Sequence, residues 1–559
     1  MKNYKEYFKG KRITMLGLGL LGRGLNDAKF LAECGADLTI TDLKTAEQLK
    51  PTIDKLKKYK SIKYVLGKHQ LEDFRDCDFV LKSAGVPLDS IYIEEAKRNN
   101  IPVEMDESLF CKIVSEQFCP EQSRGAESIS DCHCEQSVAI HPLCHSQMQV
   151  PISMGINSGG NPGKSEMDPV LDLDFLRTIV SVEIGSTLVV QRDDRENGVI
   201  IIGITGTRGK TTTTYLIYEI LKEALRLCSG HLKTKVFLGG NIKGLATLPL
   251  LKKVKDGDIV VMELSSWQLQ GFGDAKISPN ISVFTNLMND HLNYYKGSME
   301  RYFDDKKYIY KNQKPEDFLI IGESMEKKVG NVKSQKFVAK KGIVPIDWNL
   351  KIKGEHNLEN IACAISAVRI FGIDEKIIKK VVCNFAGVEG RQQFLRNYKG
   401  IKIYNDTTAT TPDATIVALR ALSDSRIMIQ DSGIIGRNHE SRIMNPESKR
   451  IVLIMGGADK TLDMSELVCE IPKYCKKVIL LAGTGTDKLG ILNNEYGMWN
   501  KTNIQKILVD NLKEAVKHAL EEAKRGDTVL FSPAFASFGM FKNEFDRGEQ
   551  FTKIIKKLK

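Results

Sequence analysis

Gly206, Thr207, Gly209, Lys210, Thr211 and Thr212, in the run Ile200-Ile-Ile-Gly-Ile-Thr-Gly-Thr-Arg-Gly-Lys-Thr-Thr212, have the types and spacing to hold a polyphosphate. Glycines in such a turn free backbone N–H groups to wrap phosphate oxygens. The lysine after them reaches the β and γ oxygens, and the next threonine hydroxyl can ligate Mg²⁺. The usual first glycine of a P-loop would fall at Ile204, so this is a Thr-Gly-Thr-x-Gly-Lys-Thr variant. Glu263 closes the apolar run Ile259-Val-Val-Met, just before Ser265, and offers a metal-binding carboxylate across from Thr211. Asn286, Asp290 and His291 follow the run Ile281-Ser-Val-Phe, a polar group suited to a ligand or metal at the mouth of a sheet. Asn357 and Asn360 stand three residues apart at a helix start, so both can face one ligand. Lys306, read in isolation, is a solvated helix lysine.

These residues need strands that end where they begin. The β-branched run before Gly206 and the helical spacing of Leu216, Ile217, Ile220 and Leu221 after it predict a strand, a loop and a helix N-terminus. Nearer the start, a short strand runs into Gly17-Leu-Gly19-Leu20-Leu-Gly22, followed by a helical segment and a strand closing on Asp42, about twenty residues beyond the last glycine. That turn alone suits an NAD-type cofactor or any other pyrophosphate, a UDP-sugar included. Another predicted strand ends at Ser83-Ala-Gly85. Toward the other end, strands precede the polar turns Asn405-Asp406-Thr-Thr408, Gly456-Gly-Ala-Asp-Lys460 and Ser532-Pro-Ala-Phe-Ala-Ser-Phe538.

The alternation of strands and helices predicts an α/β protein of three domains. Residues 1–118 read as a Rossmann-like domain, 198–386 as a parallel-sheet P-loop domain, and 387–559 as a second Rossmann-like α/β domain entered through a hinge at Gly387–Phe394. The turn-rich stretch 119–197 reads as an insertion or linker, largely mobile, and a second polar insert spans about 424–449. Cys132-His-Cys134, His141 and Cys144-His145 fall in the first insert and look metal-like, but their spacing fits no usual zinc pairing.

The net charge of +11 does not argue for nucleic acid, because the lysines are scattered and no basic helix interleaved with aromatics stands out. No run of about 18 apolar residues exists, and Met1-Lys-Asn-Tyr-Lys-Glu lacks a signal peptide's apolar core, so a cytoplasmic protein with thiols and no membrane insertion is expected.

The P-loop variant, Glu263-Leu-Ser-Ser, Asn286 through His291, Gly354-x-His-Asn-x-x-Asn360 and Arg391 occur in the order found in the Mur ligases, the ATP-dependent amide-forming enzymes of peptidoglycan synthesis. The Gly17 turn with Ser83-Ala-Gly85, Asn405-Asp-Thr-Thr-Ala-Thr410, Lys460 and the run from Ser532 to Arg547-Gly548 resemble the D-glutamate-adding branch of that family. The resemblance implies ATP and Mg²⁺ at two sites, UDP-N-acetylmuramoyl-L-alanine and D-glutamate as partners, and a monomer. It implies Thr211 and Glu263 as ligands of one metal, with His291 and a carbamylated Lys306 as ligands of the other. Asn357, Asn360, Arg391 and Asp406 would contact ATP. Gly19, Leu20, Asp42, Ser83, Gly85, Asn241 and Ser265 would lie on the sugar-nucleotide side, and Lys460, Ser532 and Phe538 in the D-glutamate pocket. The chain departs from that branch's usual pattern at Thr408, where lysine is common, and at Arg208, Phe535 and Gly539, where Asn, Cys and Asp are common. Competing readings are a folylpolyglutamate-type ligase, a nicotinamide dehydrogenase and a binding module without turnover. The P-loop with its acid disfavours the dehydrogenase, and the first glycine turn disfavours the folate enzyme.

Overall fold

The computed structural model describes residues 3–19, 22–87, 89–118, 198–227, 233–291, 294–423, 449–489, 504–537 and 539–558. The stretch 119–197, most of the second insert, Leu20 and Phe538 lie outside the described residues. The described chain folds around three sheets, and each carries its glycine turns at the carboxyl edge.

The first sheet contains β1 (Arg12–Leu16), β2 (Asp37–Asp42), β3 (Ile62–Leu66), β4 (Phe79–Lys82) and β5 (Val103–Glu104), in the order β3-β2-β1-β4-β5 with all pairs parallel. The order reverses between β1 and β4, the position at which open α/β sheets form a ligand crevice. Both strands are buried along nearly their whole length, as central strands of a parallel sheet covered on two faces are.

The second sheet contains β6 (Ile200–Thr205), β7 (Val236–Gly240), β8 (Ile259–Glu263), β9 (Ile281–Phe284), β10 (Phe318–Gly322) and β11 (Gln335–Ala339), ordered β11-β10-β9-β6-β8-β7 and again parallel throughout. Placing β6 between β8 and β9 aligns Ile204 with Glu263 and Thr205 with Phe284, so three polar turns emerge at one level. The helix Lys210–Leu227 buries Leu216, Ile217, Ile220 and Leu221 in one cluster with Ile361, Ala364, Ile365 and Val368 of the helix Glu355–Arg369. On the other face, Leu109, Phe110 and Ile113 of the helix Asp106–Phe118 share a cluster with Leu248, Leu269 and Phe272.

The third sheet contains β12 (Gln393–Tyr398), β13 (Ile401–Asn405), β14 (Ile451–Gly456), β15 (Cys475–Leu481), β16 (Gln505–Val509) and β17 (Thr528–Phe531), in the order β12-β13-β17-β14-β15-β16. Only β12 and β13 pair antiparallel, through a tight turn at Lys399-Gly400 with both φ values positive. The sequence reading ran its hinge through Phe394 and missed β12. This edge strand is half-buried and bulged between Phe394 and Arg396, so it shows neither an apolar run nor clean alternation. Among the described residues no helix is long and apolar enough to cross a membrane, and the cysteines are free thiols.

Candidate active site

The loop after β6 is tied down on all sides. Arg208 N donates to Asn286 Oδ1 at 2.9 Å, while Asn286 Nδ2 and Thr285 Oγ1 donate to Arg208 O at 3.2 and 2.7 Å. Thr207 Oγ1 accepts from Met288 N at 2.9 Å. Two glycines are required by contact as well as by φ. A Cβ on Gly206 would lie 2.0 Å from Thr285 Oγ1, and one on Gly209 would lie 1.9 Å from Asn360 Oδ1. Lys210 Nζ donates to the carbonyls of Gly206 and Thr207, each at 3.0 Å. Burial lowers its pKa from the usual range, opposed by Glu263 and aided by Arg391 and Arg208, so the ammonium already sits among charges of both signs. Thr211 and Thr212 occupy the first turn of the following helix, half-buried.

Beside this loop Glu263 is 3% exposed. Its Oε1 accepts from Asn241 Nδ2 at 3.2 Å, whereas its Oε2 is buried without a partner. An orphaned carboxylate oxygen at the edge of a phosphate loop suits a divalent cation, because burial of an uncompensated acceptor is costly. Ser265 caps the next helix in a capping box with Gln268, donating to Gln268 Oε1 at 2.8 Å.

Lys306 is 1% exposed, which overturns its reading as a solvated helix lysine. Its Nζ donates to Gly206 O at 2.9 Å and to Thr205 Oγ1 at 3.4 Å, and lies 4.8 Å from the Tyr302 ring centre. Burial, with Lys210 nearby, pushes its pKa well down. His291 adopts a left-handed φ of 53°, with its ring centre 4.9 Å from that of Trp267 and tilted by 52°. Burial lowers its pKa too, with Lys210 and Lys306 repelling the charged form against Asp290. With the charged forms of both side chains disfavoured and Glu263 Oε2 unpartnered, these groups suit a cation better than an anion.

On the opposite wall, Asn360 Nδ2 donates to Asn357 Oδ1 at 3.2 Å and Asn357 Nδ2 to Lys353 O at 2.8 Å, leaving Asn360 Oδ1 buried and unpartnered beneath Gly209. Arg391 sits exposed in the hinge, within electrostatic reach of both Lys210 and Asp406. Its neighbour Gln392, at a φ of 42°, donates its N–H to Asp406 Oδ1 at 2.9 Å, and Ser532 Oγ donates to Asp406 Oδ2 at 2.8 Å. Thr408 donates to Gly390 O at 2.8 Å, so the residue standing where lysine is common belongs to the hinge. Lys460 is exposed and donates to Thr410 Oγ1 at 2.9 Å, whereas Ser532 is fully buried and gives its hydroxyl to Asp406. Arg547, also fully buried, binds Thr407 O at 2.9 Å and Phe535 O at 3.2 Å and so joins the turns after β13 and β17.

Burial pushes the Asp406 carboxyl up to about 7, against the pull of the Gln392 amide, Ser532 and Arg391. A carboxyl whose folded pKa is raised stabilises the fold at low pH, and that contribution is lost as pH rises through about 7. Asp406→Asn keeps the shape and the acceptor for Gln392. The wild-type protein should therefore lose a few degrees more in Tm than this variant between pH 6 and pH 8, on the order of what one to two kcal/mol produces. Thermal scans that fall equally for both proteins would show that Asp406 does not titrate in this window.

At the first sheet, Asp42 Oδ2 accepts from Leu18 N at 2.9 Å and Gly19 N at 3.1 Å, and Oδ1 from Lys44 N at 2.9 Å. Burial alone would raise its pKa, but these amides hold it below the usual range. Ser83 Oγ donates to Gly17 O at 2.8 Å, bonding the two turns at the switch point, while a Cβ on Gly85 would meet open space. The structure thus brings the P-loop, Asn286, Glu263, Asn241, Lys306, Asn357 and Asn360 to one edge of the second sheet. It gathers Asp42, Ser83 and Gly85 at the first sheet, and Lys460 and Ser532 at the third. Sequence reasoning missed Thr285, Gln392 and Arg547 as organisers of these turns. Of these, Arg547 stood in the quoted run from Ser532 to Gly548, without its role being read, and Gln392 lay in the hinge after Gly390.

Residues 204–343 match the Mur ligase middle domain, and residues 11–104 match the MurD-like Mur ligase N-terminal domain. The chain is 30% identical to the UDP-N-acetylmuramoylalanine–D-glutamate ligase of Clostridioides difficile (strain 630), with 99% of each chain covered. It is 29% identical to the proteins of the same name from Roseiflexus sp. (strain RS-1), over 98% of each chain, and Borreliella burgdorferi (strain ZS7), over 99% of each. Such similarity covers nearly the whole chain, and the chain belongs to the Mur ligase family of ATP-dependent, amide-forming ligases.

Proposed function

We propose that this protein joins D-glutamate to the alanyl carboxylate of UDP-N-acetylmuramoyl-L-alanine, converting ATP to ADP and phosphate, in cytoplasmic peptidoglycan-precursor synthesis. The observation that carries the reading is the junction of a strand-bound P-loop with Glu263, whose buried Oε2 has no protein partner. The full-length similarity to D-glutamate ligases supports the choice of amino acid.

On this reading residues 1–118 receive the sugar nucleotide, through Gly19, Leu20, Asp42, Ser83 and Gly85, with Asn241 and Ser265 on the facing side. Residues 198–386 hold ATP, with Asn357 and Asn360 toward the base and the hinge residues Arg391 and Asp406 completing its site. Residues 387–559 take D-glutamate, with Lys460 pairing a carboxylate and Ser532 and Phe538 shaping the pocket. One chain contains all three sites, so a monomer suffices.

The substrate carboxylate attacks the γ-phosphorus of ATP, its oxygen forms the new bond, and ADP leaves. The amine of D-glutamate then attacks the acyl carbon, and phosphate departs as the amine gives up a proton. Phosphoryl transfer is largely positioning and charge neutralisation. Lys210 supplies a fixed cation, and the amides of Gly209 to Thr212 supply donors at a helix N-terminus. Mg²⁺ would be held by Thr211 and Glu263, and a second ion by His291 and a carbamylated Lys306, where these ions neutralise charge on the transferred group.

Phosphate release measured with the alanyl sugar nucleotide and D-glutamate, L-glutamate or L-lysine in turn tests the proposal. Release only with D-glutamate is expected. Turnover with another of these amino acids, or none at all, would refute it.

A further inference from the structure

Arg23 opens the helix Arg23–Glu33 directly after the first glycine turn, yet its side chain leaves its own sheet. Nη2 donates to Glu107 Oε1 and, at 2.6 Å, to the carbonyl of Gly240, while Nε faces Asp106 Oδ2 at 3.4 Å. Glu107 is fully buried, and Gln268 Nε2 donates to the same Oε1. Gly240 ends β7 at a φ of 80°, pressed so closely on β8 that a Cβ there would lie 2.1 Å from Glu263 O. The next residue, Asn241, donates its N–H to Glu263 O at 2.7 Å and its Nδ2 to Glu263 Oε1 at 3.2 Å. An unbroken line of contacts therefore runs from the glycine turn of the first sheet, through Arg23, Gly240 and Asn241, to the carboxylate whose other oxygen is unpartnered.

We propose that Arg23 is a positioning residue that, by holding the Gly240 carbonyl, sets the Asn241–Glu263 pair and so couples the seating of the first glycine turn to the cation side of the P-loop. The inference rests on the reading of Glu263 as the acid that faces a divalent cation. A guanidinium suits the task because its forked donors reach an acid and a carbonyl at once, which a single ammonium point does not reproduce. The competing role is structural: Arg23 would merely neutralise the buried Glu107, and any loss on its removal would come from an uncompensated carboxylate.

Two variants separate these roles. Arg23→Met/Glu107→Gln removes both charges and retains the shape, and Arg23→Lys keeps the countercharge but gives up the fork. The measurement is ADP affinity by calorimetry on the full chain, with and without Mg²⁺, alongside Tm. Both variants should weaken the Mg²⁺-dependent part of ADP binding by about 10-fold, within the range of coupled neighbouring groups, and leave metal-free binding unchanged. Adding Asn241→Ala to either should cost less than about 2-fold more, because the same line of contacts is already broken. Wild-type Mg²⁺ dependence in either variant, or effects of Arg23 and Asn241 that multiply, would overturn the proposal. ADP binding requires neither D-glutamate nor the sugar nucleotide, so failure of the substrate assignment would leave this result standing. Wild-type ADP binding that ignores Mg²⁺ would instead refute the reading of Glu263.

Discussion

Replacing Lys210 by alanine is expected to lower turnover by roughly 10²-fold or more, the scale on which a preorganised charge contributes to transition-state stabilisation. The ammonium holds the Gly206 and Thr207 carbonyls and lies within the field of Glu263, Arg391 and Arg208, so it is placed before any substrate arrives. The fold should persist. The loop keeps its bonds to Thr285, Asn286 and Met288, and the Gly206 carbonyl keeps Lys306 as a donor. The loss should appear in kcat with Tm within a few degrees of the parent. Near-parental kcat would mean that the loop does not carry the transferring phosphoryl.

Lys306→Ala should lose activity on a similar scale, roughly 10²-fold, for a different reason. Burial, with Lys210 nearby, disfavours the charged form of Lys306. A free amine can add carbon dioxide, losing a proton and becoming a carbamate, which turns a cation into an oxygen ligand for a metal. If that is its role, small carboxylates such as acetate or formate, added to the alanine variant, should restore part of the rate by filling the vacated space. A fully active variant would reduce Lys306 to a prop that packs on Tyr302 and donates to Gly206. A loss that no carboxylate rescues would favour the ammonium itself as the functional group.

Much of the site was legible because its local requirements are strict. A strand must stop and a helix begin within a few residues for backbone amides to gather, and only glycine tolerates the left-handed φ at Gly17, Gly206 and Gly209 together with the contacts they make. β1, β6, β8 and β9 are largely apolar because each is buried on both faces, so they read as strands without any partner in view. Asp42, Glu263 and Asp406 were visible as acids at strand ends, although not what their oxygens bind. Asp42 spends its oxygens on the turn amides, Glu263 keeps one free, and Asp406 accepts from Gln392 and Ser532.

By itself the sequence determined the three α/β units, the chemistry of the phosphate loop and the residue types around it, since propensity, periodicity and turn geometry act over a few neighbours. Tertiary structure decided which of those turns face one another. Parallel strands pair across long crossovers that no local pattern encodes, so the placing of β6 between β8 and β9 could not be read in advance, although Glu263 was expected across from Thr211. The same holds for burial. Lys306 and Arg23 look like ordinary surface cations in their own helices, and only packing between elements far apart in the chain encloses one beneath the loop and carries the other to Gly240.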